Sequence, residues 1–378
     1  MLKELWPFIL GSMALGLDAY VLAGLVQEMS HDLGTTVSGV GMGVTVFTAA
    51  YALAGPLMAG RAARRPRRNL TLALCLFTAG NVATLLAPGI AVFLASRLLA
   101  GAAAGVYSPL SSAVAATMKP ERKGQALSLV LAGLATGSVL GVPLGLLLAE
   151  HSNWRCTIGL IAALGALSLL GITRTHEDSF PSIQAPGFTA SMKALARRTT
   201  ALTVIVTLLT GMGSLGLYTY IQPLLQGSSL SGNTTTAIWV WGCGGAIAVF
   251  AIGKVLDSVK STLAITAAIV SALALVLLLI GSTHSAYALM PGLFLWGALG
   301  WSSLAPQQHT LLSESPDNGA TAVAANASAN YLGSSLGSAA GAGLIAAGVT
   351  GQSLALWATL PLACAVLVQL FRMRITTD

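Results

Sequence analysis

Two charged residues lie deep inside long apolar segments of this sequence, and they are the side chains most able to do chemistry. Asp18 lies in Gly16-Leu-Asp18-Ala-Tyr20, and Arg97 lies in Ser96-Arg97-Leu-Leu-Ala-Gly101. A charge at the centre of a membrane helix costs about 2.5–3.5 kcal/mol on insertion scales, so such a residue is a functional candidate. Asp18 is a candidate for proton exchange or for recognition of a cationic or hydrogen-bonding ligand. Arg97 is a candidate for binding an anion or modulating proton exchange at a partner carboxylate. The alternative for Asp18 is an ion pair or hydrogen bond that only holds helices together, and the alternative for Arg97 is a static packing role in which it donates to backbone carbonyls of a neighbouring helix.

The amino-acid composition indicates whether this chain is built for water or for a lipid bilayer. It has 378 residues, with 55% hydrophobic residues and only 8% charged residues, whereas soluble domains carry about 25% charged residues. This excludes an ordinary water-soluble enzyme and predicts a protein built for a lipid bilayer. The net charge of +7 comes from short basic runs between apolar segments, without a nucleic-acid motif, so no nucleic-acid partner is expected. Four cysteines without C-x-x-C spacing predict small buried side chains and no metal site: Cys75, Cys156, Cys243 and Cys364.

Apolar segments of about 20 residues are long enough to cross a bilayer as helices. The sequence divides into twelve of them, roughly 6–26, 38–60, 70–87, 91–117, 124–149, 155–173, 200–225, 234–256, 262–281, 286–313, 320–348 and 352–370. The expected fold is therefore an all-α polytopic membrane protein. A polar stretch predicts a cytoplasmic linker at 174–199 between an N-terminal six-helix half (1–173) and a C-terminal six-helix half (200–378).

The basic residues predict the orientation of these spans. With the N-terminus in the cytoplasm, 17 of the 19 Lys and Arg residues fall on the cytoplasmic side, as the positive-inside rule requires. The exceptions are Arg97, inside span four, and Arg155, at the outer end of span six. An even number of spans returns the C-terminus to the cytoplasm. The first segment has no cleavage site of small residues, so we expect it to be a retained span.

An internal repeat supports two related halves. Glycines at four-residue spacing recur 196 residues apart, as Gly137, Gly141 and Gly145 in span five and Gly333, Gly337 and Gly341 in span eleven. Such glycines allow close helix packing. Pro143 among them predicts a kink in span five, which could also serve as a pivot for alternating access. Paired repeats are typical of secondary transporters, although Gly-rich helices are common enough in membranes for the offset to arise by chance.

Polar and aromatic residues in the spans supply candidates for solute recognition. With Asp18, the candidates are Tyr51, Tyr218, Gln222, Trp301, Gln307, Asn326 and Asn330. Tyr and Trp near span ends are also typical of the membrane interface. Asn326 and Asn330 share one helix face and need partners, from a neighbouring helix or from a ligand. The sequence has no H-E-x-x-H, G-x-S-x-G or P-loop motif, which argues against an enzyme.

Several of these motifs resemble the major facilitator superfamily, and within it the twelve-helix drug:proton antiporter branch. The loop after span two is similar to the family motif at Gly55, Pro56, Leu57, Arg64, Arg67 and Arg68. It differs at Ala63, where the motif has Asp, and at Pro66, where it has Gly. The second half retains an acid in Gly253-Lys-Val-Leu-Asp257. The Arg97 segment resembles the motif of helix four, and Gly137 to Gly145 that of helix five.

Further stretches around Asp18, Trp301 and Asn326 resemble bacterial exporters of purines, nucleosides and arabinose-type sugars. The resemblance implies a monomeric inner-membrane transporter that exports a small organic solute, such as a drug, purine or sugar. It implies alternating access driven by the proton gradient without a bound cofactor, with Asp18 and Arg97 as the proton-coupling residues. The alternatives are an uncoupled facilitator or importer of the same fold and a membrane sensor that transports nothing.

Overall fold

The computed structural model describes residues 2–175, 180, 193, 195–258, 261–314, 319–349 and 351–377, and within these ranges it contains helices and no strand. The chain divides into two compact units, Met1–Thr189 (unit 1) and Ala190–Asp378 (unit 2). Most of the linker predicted at 174–199, including His176, Glu177 and Pro186, lies outside the described residues.

Unit 1 contains eight described α-helices joined by short turns. Helices α1 to α8 are Leu2–Val21, Val26–Asp32, Val37–Ala62, Pro66–Leu85, Ile90–Met118, Lys123–Thr136, Val142–His151 and Trp154–Arg174. A π-helical stretch, Gly137–Gly141, joins α6 to α7. These two helices and the stretch therefore form one continuous segment.

Unit 2 also contains eight described α-helices. Helices α9 to α16 are Arg198–Tyr218, Ile221–Leu224, Thr234–Ser258, Thr262–Ser282, Ala286–Ser302, Leu304–Glu314, Gly319–Ala346 and Ser353–Thr377. Helices α13 and α14 follow each other with a single residue between them and act as one span.

Ten helical segments in the described part of the chain are long and apolar enough to cross a membrane. The two remaining predicted spans are also helical, as α4 and α15, with 20 and 28 residues. Both have the length for a crossing, but α4 begins with arginines and α15 is rich in Ser and Asn, which lowers their mean hydropathy. The chain is a multi-pass helical membrane protein.

The two units share one packing scheme. In unit 1, α1 packs on α6 and α8, α3 on α5, and α4 on α5 and α8. In unit 2, α9 packs on α15 and α16, α11 on α13, and α12 on α13 and α16. Glycines at matching positions allow the closest of these contacts. A Cβ on Gly16 would collide with the Leu134 carbonyl oxygen, and a Cβ on Gly211 would lie 2.6 Å from the Asn330 carbonyl oxygen. The offsets of 195 and 196 residues between these pairs match the repeat in the sequence.

The proline in span five is accompanied by a change of helix type. Pro143 has no backbone N–H, so the regular hydrogen-bond ladder is interrupted at that position. The structure places the π-helical stretch immediately before it, and the Val142 N–H donates to the Gly137 carbonyl oxygen. Such π segments are associated with functional sites in helices. Gly141 and Gly145 lie against Leu17 of α1, which leaves this irregular segment in direct contact with the helix that carries Asp18.

The prediction of buried cysteines was wrong. Cys75, Cys156 and Cys364 are exposed and Cys243 is partly exposed. In a bilayer an apolar side chain gains nothing from facing inward rather than lipid, so a thiol in an apolar segment does not indicate burial as it would in a soluble core.

Candidate functional site

Asp18 and Arg97 form an ion pair inside unit 1. Arg97 Nη1 donates to Asp18 Oδ1 over 2.8 Å, and the two side chains are 0% and 1% exposed for Asp18 and Arg97, respectively. Asp18 lies near the end of α1, and Arg97 lies in the first third of α5. The structure therefore brings together the two intramembrane charges that the sequence singles out, as a matched pair without access to solvent.

The surroundings of Arg97 are built by residues of α3. The Phe47 ring lies under the guanidinium, with its centroid 4.3 Å from Arg97 Cζ, an attractive cation–π geometry. Gly43, one turn earlier, leaves room for the Phe93 ring and for Arg97, whose Cγ would lie 3.4 Å from a Cβ there. The missing side chain at position 43 thus allows the arginine to reach Asp18.

Asn81 of α4, which was not among the residues predicted from the sequence, completes this charged site. Its Nδ2 donates to Asp18 Oδ2 over 3.2 Å and to the Phe77 carbonyl oxygen over 3.1 Å. An Asn in the middle of an apolar span was the available signal. Among the described residues, Arg97 Nε and Asn81 Oδ1 have no hydrogen-bond partner. The two residues that bind Asp18 therefore retain one unused hydrogen-bond donor, Arg97 Nε, and one unused acceptor, Asn81 Oδ1.

The equivalent positions of unit 2 carry no charge. Applying the repeat offsets of 195 and 196, Gly213 corresponds to Asp18, Leu293 to Arg97 and Leu277 to Asn81; the two leucines are 0% exposed. The shared packing scheme is therefore compatible with a fully apolar filling of this site. Ionic groups in unit 1 are not required by the architecture, which favours a functional role for them.

Unit 2 contains a different buried polar group, formed by Thr207 of α9, Gln307 of α14 and Asn326 of α15. Thr207 Oγ1 lies 2.6 Å from Asn326 Oδ1 and also contacts Gln307 Oε1. Gln307 Nε2 donates to the Ser303 carbonyl oxygen over 3.0 Å. Gln307 is 1% exposed and Asn326 is 0% exposed, so the predicted recognition residues Gln307 and Asn326 are brought together in one cluster, the amide cluster.

The amide cluster has an unfilled hydrogen bond. The Thr207 hydroxyl has one proton and faces the two amide oxygens and the Thr203 carbonyl oxygen, so it donates to only one of these three acceptors. In the described part of the chain, Asn326 Nδ2 has no partner. Turning the Asn326 amide over would let Nδ2 donate to Thr207 but would leave Oδ1 open instead. A buried amide with an open atom costs about 1–3 kcal/mol, which favours a ligand or water at this position in the working protein.

An aromatic cluster lies elsewhere in unit 2. Tyr218 stacks on Trp241 with centroids 4.2 Å apart, and Trp296 and Trp301 meet the edges of Trp241 at 6.1 and 5.8 Å. Trp296 Nε1 donates to Ser214 Oγ over 3.0 Å. The predicted residues Tyr218 and Trp301 are thus in one cluster, of which Trp301 is the most exposed member.

The remaining recognition candidates are separate from these clusters or on their margins. Tyr51 is half-buried, with its ring centroid 6.4 Å from that of Phe47. Gln222 is half-buried on the short helix α10. Asn330 is half-buried on α15, and its side-chain oxygen lies close to Gly211.

Besides the glycine and proline segment of span five described above, the predicted conformational motifs lie in the C-terminal part of α3 with the turn that follows it, and at the end of α11. Arg64 and Arg68 are exposed, and Arg67 Nη2 donates to the Thr173 carbonyl oxygen over 2.9 Å. Gly55 lies on α3, where a Cβ would be 3.1 Å from the Gly105 carbonyl oxygen. In the second copy, Gly253 and Asp257 are exposed on the last turns of α11.

The structure explains why Arg155 departs from the charge pattern. Arg155 Nε and Nη2 donate to the carbonyl oxygens of Leu85 and Ala87 over 3.0 and 3.1 Å, and Nη1 is paired with Asp32. Trp154 Nε1 also donates to Asp32, over 2.9 Å. One arginine therefore links α2, the end of α4 and the start of α8. Its position opposite the other basic residues was the signal for this structural role.

A second ion pair in unit 2 was also missed. Arg372 Nη2 donates to both carboxylate oxygens of Glu314 over 2.8 Å, and its Nε donates to the Thr199 carbonyl oxygen over 3.2 Å. Arg197 Nη1 donates to the Glu314 carbonyl oxygen over 2.9 Å. These contacts join the start of α9 to the ends of α14 and α16. Terminal arginines explained by the orientation rule gave no indication of this packing role.

Comparison with known proteins agrees with this architecture. Residues 8–338 match the family model of the Major Facilitator Superfamily. The inner membrane transport protein YdhP of Escherichia coli (strain K12) is 27% identical over 350 residues, covering 90% of this chain and 88% of that protein. A probable sugar efflux transporter of Mannheimia succiniciproducens is 28% identical over 298 residues, covering 77% and 74%.

A solved structure shares the fold. The crystal structure of a mutant of the nucleoside transporter NupG has a TM-score of 0.80 to this chain at 12% identity, covering 98% of this chain and 99% of that one. With the family match over most of the sequence, the chain is a multi-pass membrane transporter, not an enzyme, and it belongs to the Major Facilitator Superfamily.

Proposed function

We propose that this transporter is a proton-coupled exporter of a small uncharged organic solute, such as a drug, a purine or a sugar. It would act as a monomer by alternating access in the bacterial inner membrane, with both termini in the cytoplasm and the proton gradient in place of a bound cofactor. The observation that carries the proposal is the buried Asp18–Arg97 pair. The names of the related proteins support two parts of the proposal: the name of YdhP supports the location in the inner membrane, and that of the sugar efflux transporter supports export as the direction of transport.

The charge balance of the pair supports the proposed proton coupling. A proton on Asp18 would remove one of two matched charges and leave Arg97 as an uncompensated cation that is 1% exposed. Removing one partner of a buried ion pair costs about 3–5 kcal/mol. Unit 1 would relieve that cost by rearranging or by admitting water. Proton uptake and conformational change would thereby be linked at one site.

Asn81 and Phe47 give Asp18 and Arg97 defined positions in the paired state. Asn81 holds the second Asp18 oxygen, and the Phe47 ring supports the guanidinium. The open Arg97 Nε and Asn81 Oδ1 would provide hydrogen bonds to a water molecule that brings or removes the proton. Arg97 would modulate the exchange because it stabilises the ionised carboxylate.

An uncharged solute fits the described residues of both units. The buried charged side chains among them are Asp18, Arg97 and Arg372, and each is ion-paired. In this paired state, none of these side chains offers an unmatched charge to a charged solute. The open amide atom of Asn326 instead offers a hydrogen bond to a neutral polar group, and the partly exposed Trp301 offers an aromatic surface.

The experiment uses everted membrane vesicles with an imposed proton gradient. Solutes from a panel of purine analogues, sugars and antibiotics are added, and collapse of the gradient is recorded. Wild-type vesicles are expected to show collapse with the transported solute, and Asp18→Asn vesicles are expected to show none. Glu121→Gln, which neutralises an exposed carboxylate, is the matched control and should behave as wild type. Full solute-dependent proton movement by Asp18→Asn would remove Asp18 from the mechanism. Solute flux that ignores the gradient in the wild type would favour the uncoupled facilitator.

A further inference from the structure

An apolar groove of about 230 Å³ runs along the surface of unit 1 between α3, α4 and α5. One end is formed by Ala62 and Asn69, and the other reaches Leu76 and Leu99. The seven residues from Asn69 to Leu76 correspond to about 10 Å along α4. Leu76 and Leu99 are exposed, so the groove opens outward from the unit. Its shape and lining suit a hydrocarbon chain lying along the helices.

The turn at one end of this groove is rich in arginine. Helix α3 ends at Ala62 and α4 begins at Pro66, and Asn69 Nδ2 donates to the Ala62 carbonyl oxygen over 2.8 Å to close the turn. Arg64, Arg65 and Arg68 lie in or next to this turn and are exposed. The neighbouring Arg67 is already engaged with the Thr173 carbonyl oxygen. Three exposed arginines therefore lie in the part of the chain next to Ala62 and Asn69, which form this end of the groove.

The charge of these arginines has no counterpart in the helices that form the groove. The sequence contains no Asp or Glu between Asp32 and Glu121, a range that includes all of α3, α4 and α5. The positive end of the α4 dipole adds to the same local potential. Negative charge that balances these arginines must therefore come from outside α3, α4 and α5. Because an apolar groove lies beside the arginines, a molecule with both an anionic group and a hydrocarbon chain suits this place.

We propose that this groove binds an anionic phospholipid of the cytoplasmic leaflet. One acyl chain would lie in the groove, and the phosphate group would lie among Arg64, Arg65 and Arg68. The cytoplasmic leaflet carries the anionic lipids that attract basic segments. A zwitterionic phospholipid would fill the groove equally well but would add no net negative charge at the arginines. This inference does not depend on proton coupling or on the transported solute.

The experiment measures lipid binding to the full chain, purified in detergent and delipidated, by native mass spectrometry. The probes are phosphatidylglycerol and phosphatidylcholine with the same acyl chains. Wild-type protein is expected to bind phosphatidylglycerol at least about 10-fold more tightly, with a preference that falls at high salt. R65Q/R68Q is expected to lose about 30-fold in phosphatidylglycerol affinity and to keep its phosphatidylcholine affinity. R122Q/K123Q removes two exposed basic residues outside the groove and should retain the preference.

A second variant tests the groove itself. Ala102 lines it and is half-buried, so Ala102→Phe would fill the space and weaken both lipids. Equal affinities for the two lipids in the wild type would overturn the proposal, as would an equal loss in R122Q/K123Q. Unchanged binding by Ala102→Phe, or full competition by free glycerol phosphate, would show a surface anion site without a lipid groove. If R65Q/R68Q does not fold, the salt dependence of the wild type and Ala102→Phe decide the outcome.

Discussion

Replacing Asp18 with asparagine is expected to lower the free energy of unfolding, by an amount that the surroundings of the pair determine. The substitution keeps the shape of the side chain and the hydrogen bond from Asn81 but removes the charge that balances Arg97. Both partners are almost fully buried, so solvent screening does not reduce the effect. Loss of one member of such a pair costs about 3–5 kcal/mol. Arg97→Met should cost less, because Asn81 still donates to the remaining carboxylate.

The double variant D18N/R97M is expected to be within about 1 kcal/mol of wild type. Removing both charges leaves no uncompensated ion, and an apolar filling of similar volume is often as stable as a buried pair. Unit 2 provides the internal precedent, since the uncharged residues Gly213 and Leu293 occupy the positions that match Asp18 and Arg97, and Leu293 is 0% exposed. The double variant should nevertheless lose proton-coupled transport. Stability and function would therefore separate in one protein.

The assay is denaturant unfolding of the purified protein in detergent for the wild type, both single variants and the double variant. The cycle should give a coupling energy of about 3 kcal/mol or more between positions 18 and 97. Additive losses, with the double variant as unstable as the sum of the singles, would refute the charge-balance reasoning. That result would mean that the pair contributes packing and not compensation.

Three further expectations concern unit 2 and the contacts of Arg155 in unit 1. Gly211→Ala should destabilise the protein by about 1–3 kcal/mol in thermal unfolding, because the new Cβ would lie 2.6 Å from the Asn330 carbonyl oxygen. Gly343→Ala is the matched control, since no neighbouring atom lies within 4 Å of the new Cβ there. Equal destabilisation by the two variants would contradict close packing at Gly211. Asn326→Leu should leave stability unchanged or raised, because it removes a buried amide with an open atom, while solute affinity measured by binding falls; unchanged affinity would remove the amide cluster from recognition. Arg155→Gln should increase amide hydrogen exchange at residues 85–87, because the arginine binds the carbonyl oxygens of Leu85 and Ala87, and unchanged exchange would show that these contacts do not hold the end of α4.

The sequence predicted the helical architecture well because a bilayer imposes a strong length requirement on each apolar segment. Helices that depart from simple hydropathy, such as α4 and α15, were still recognisable from their place between short loops. Pro143 predicted an irregularity in span five but not its type, since a proline is compatible with either a kink or a π-helical segment. Burial of the cysteines was mispredicted, because hydropathy cannot separate a lipid-facing side chain from a core one.

The candidate site was predictable in its charges and not in its partners. Asp18 and Arg97 stand out because ionised side chains are rare in spans, but their pairing depends on how α1 and α5 pack. Asn81 was overlooked because a single amide in an apolar helix has many possible roles. The cluster of Thr207, Gln307 and Asn326 draws on three separate helices, and only tertiary structure reveals that one hydroxyl faces two amides.

The most direct test of the proposed mechanism is solute transport by the purified protein in proteoliposomes under an imposed pH gradient, with the solute that the vesicle screen identifies. We expect the wild type to accumulate solute against its concentration gradient while protons move in the opposite direction. We expect D18N and D18N/R97M to do neither while remaining folded. Uphill accumulation by either variant, or wild-type flux that only equalises solute concentrations whatever the pH gradient, would contradict the proposed mechanism.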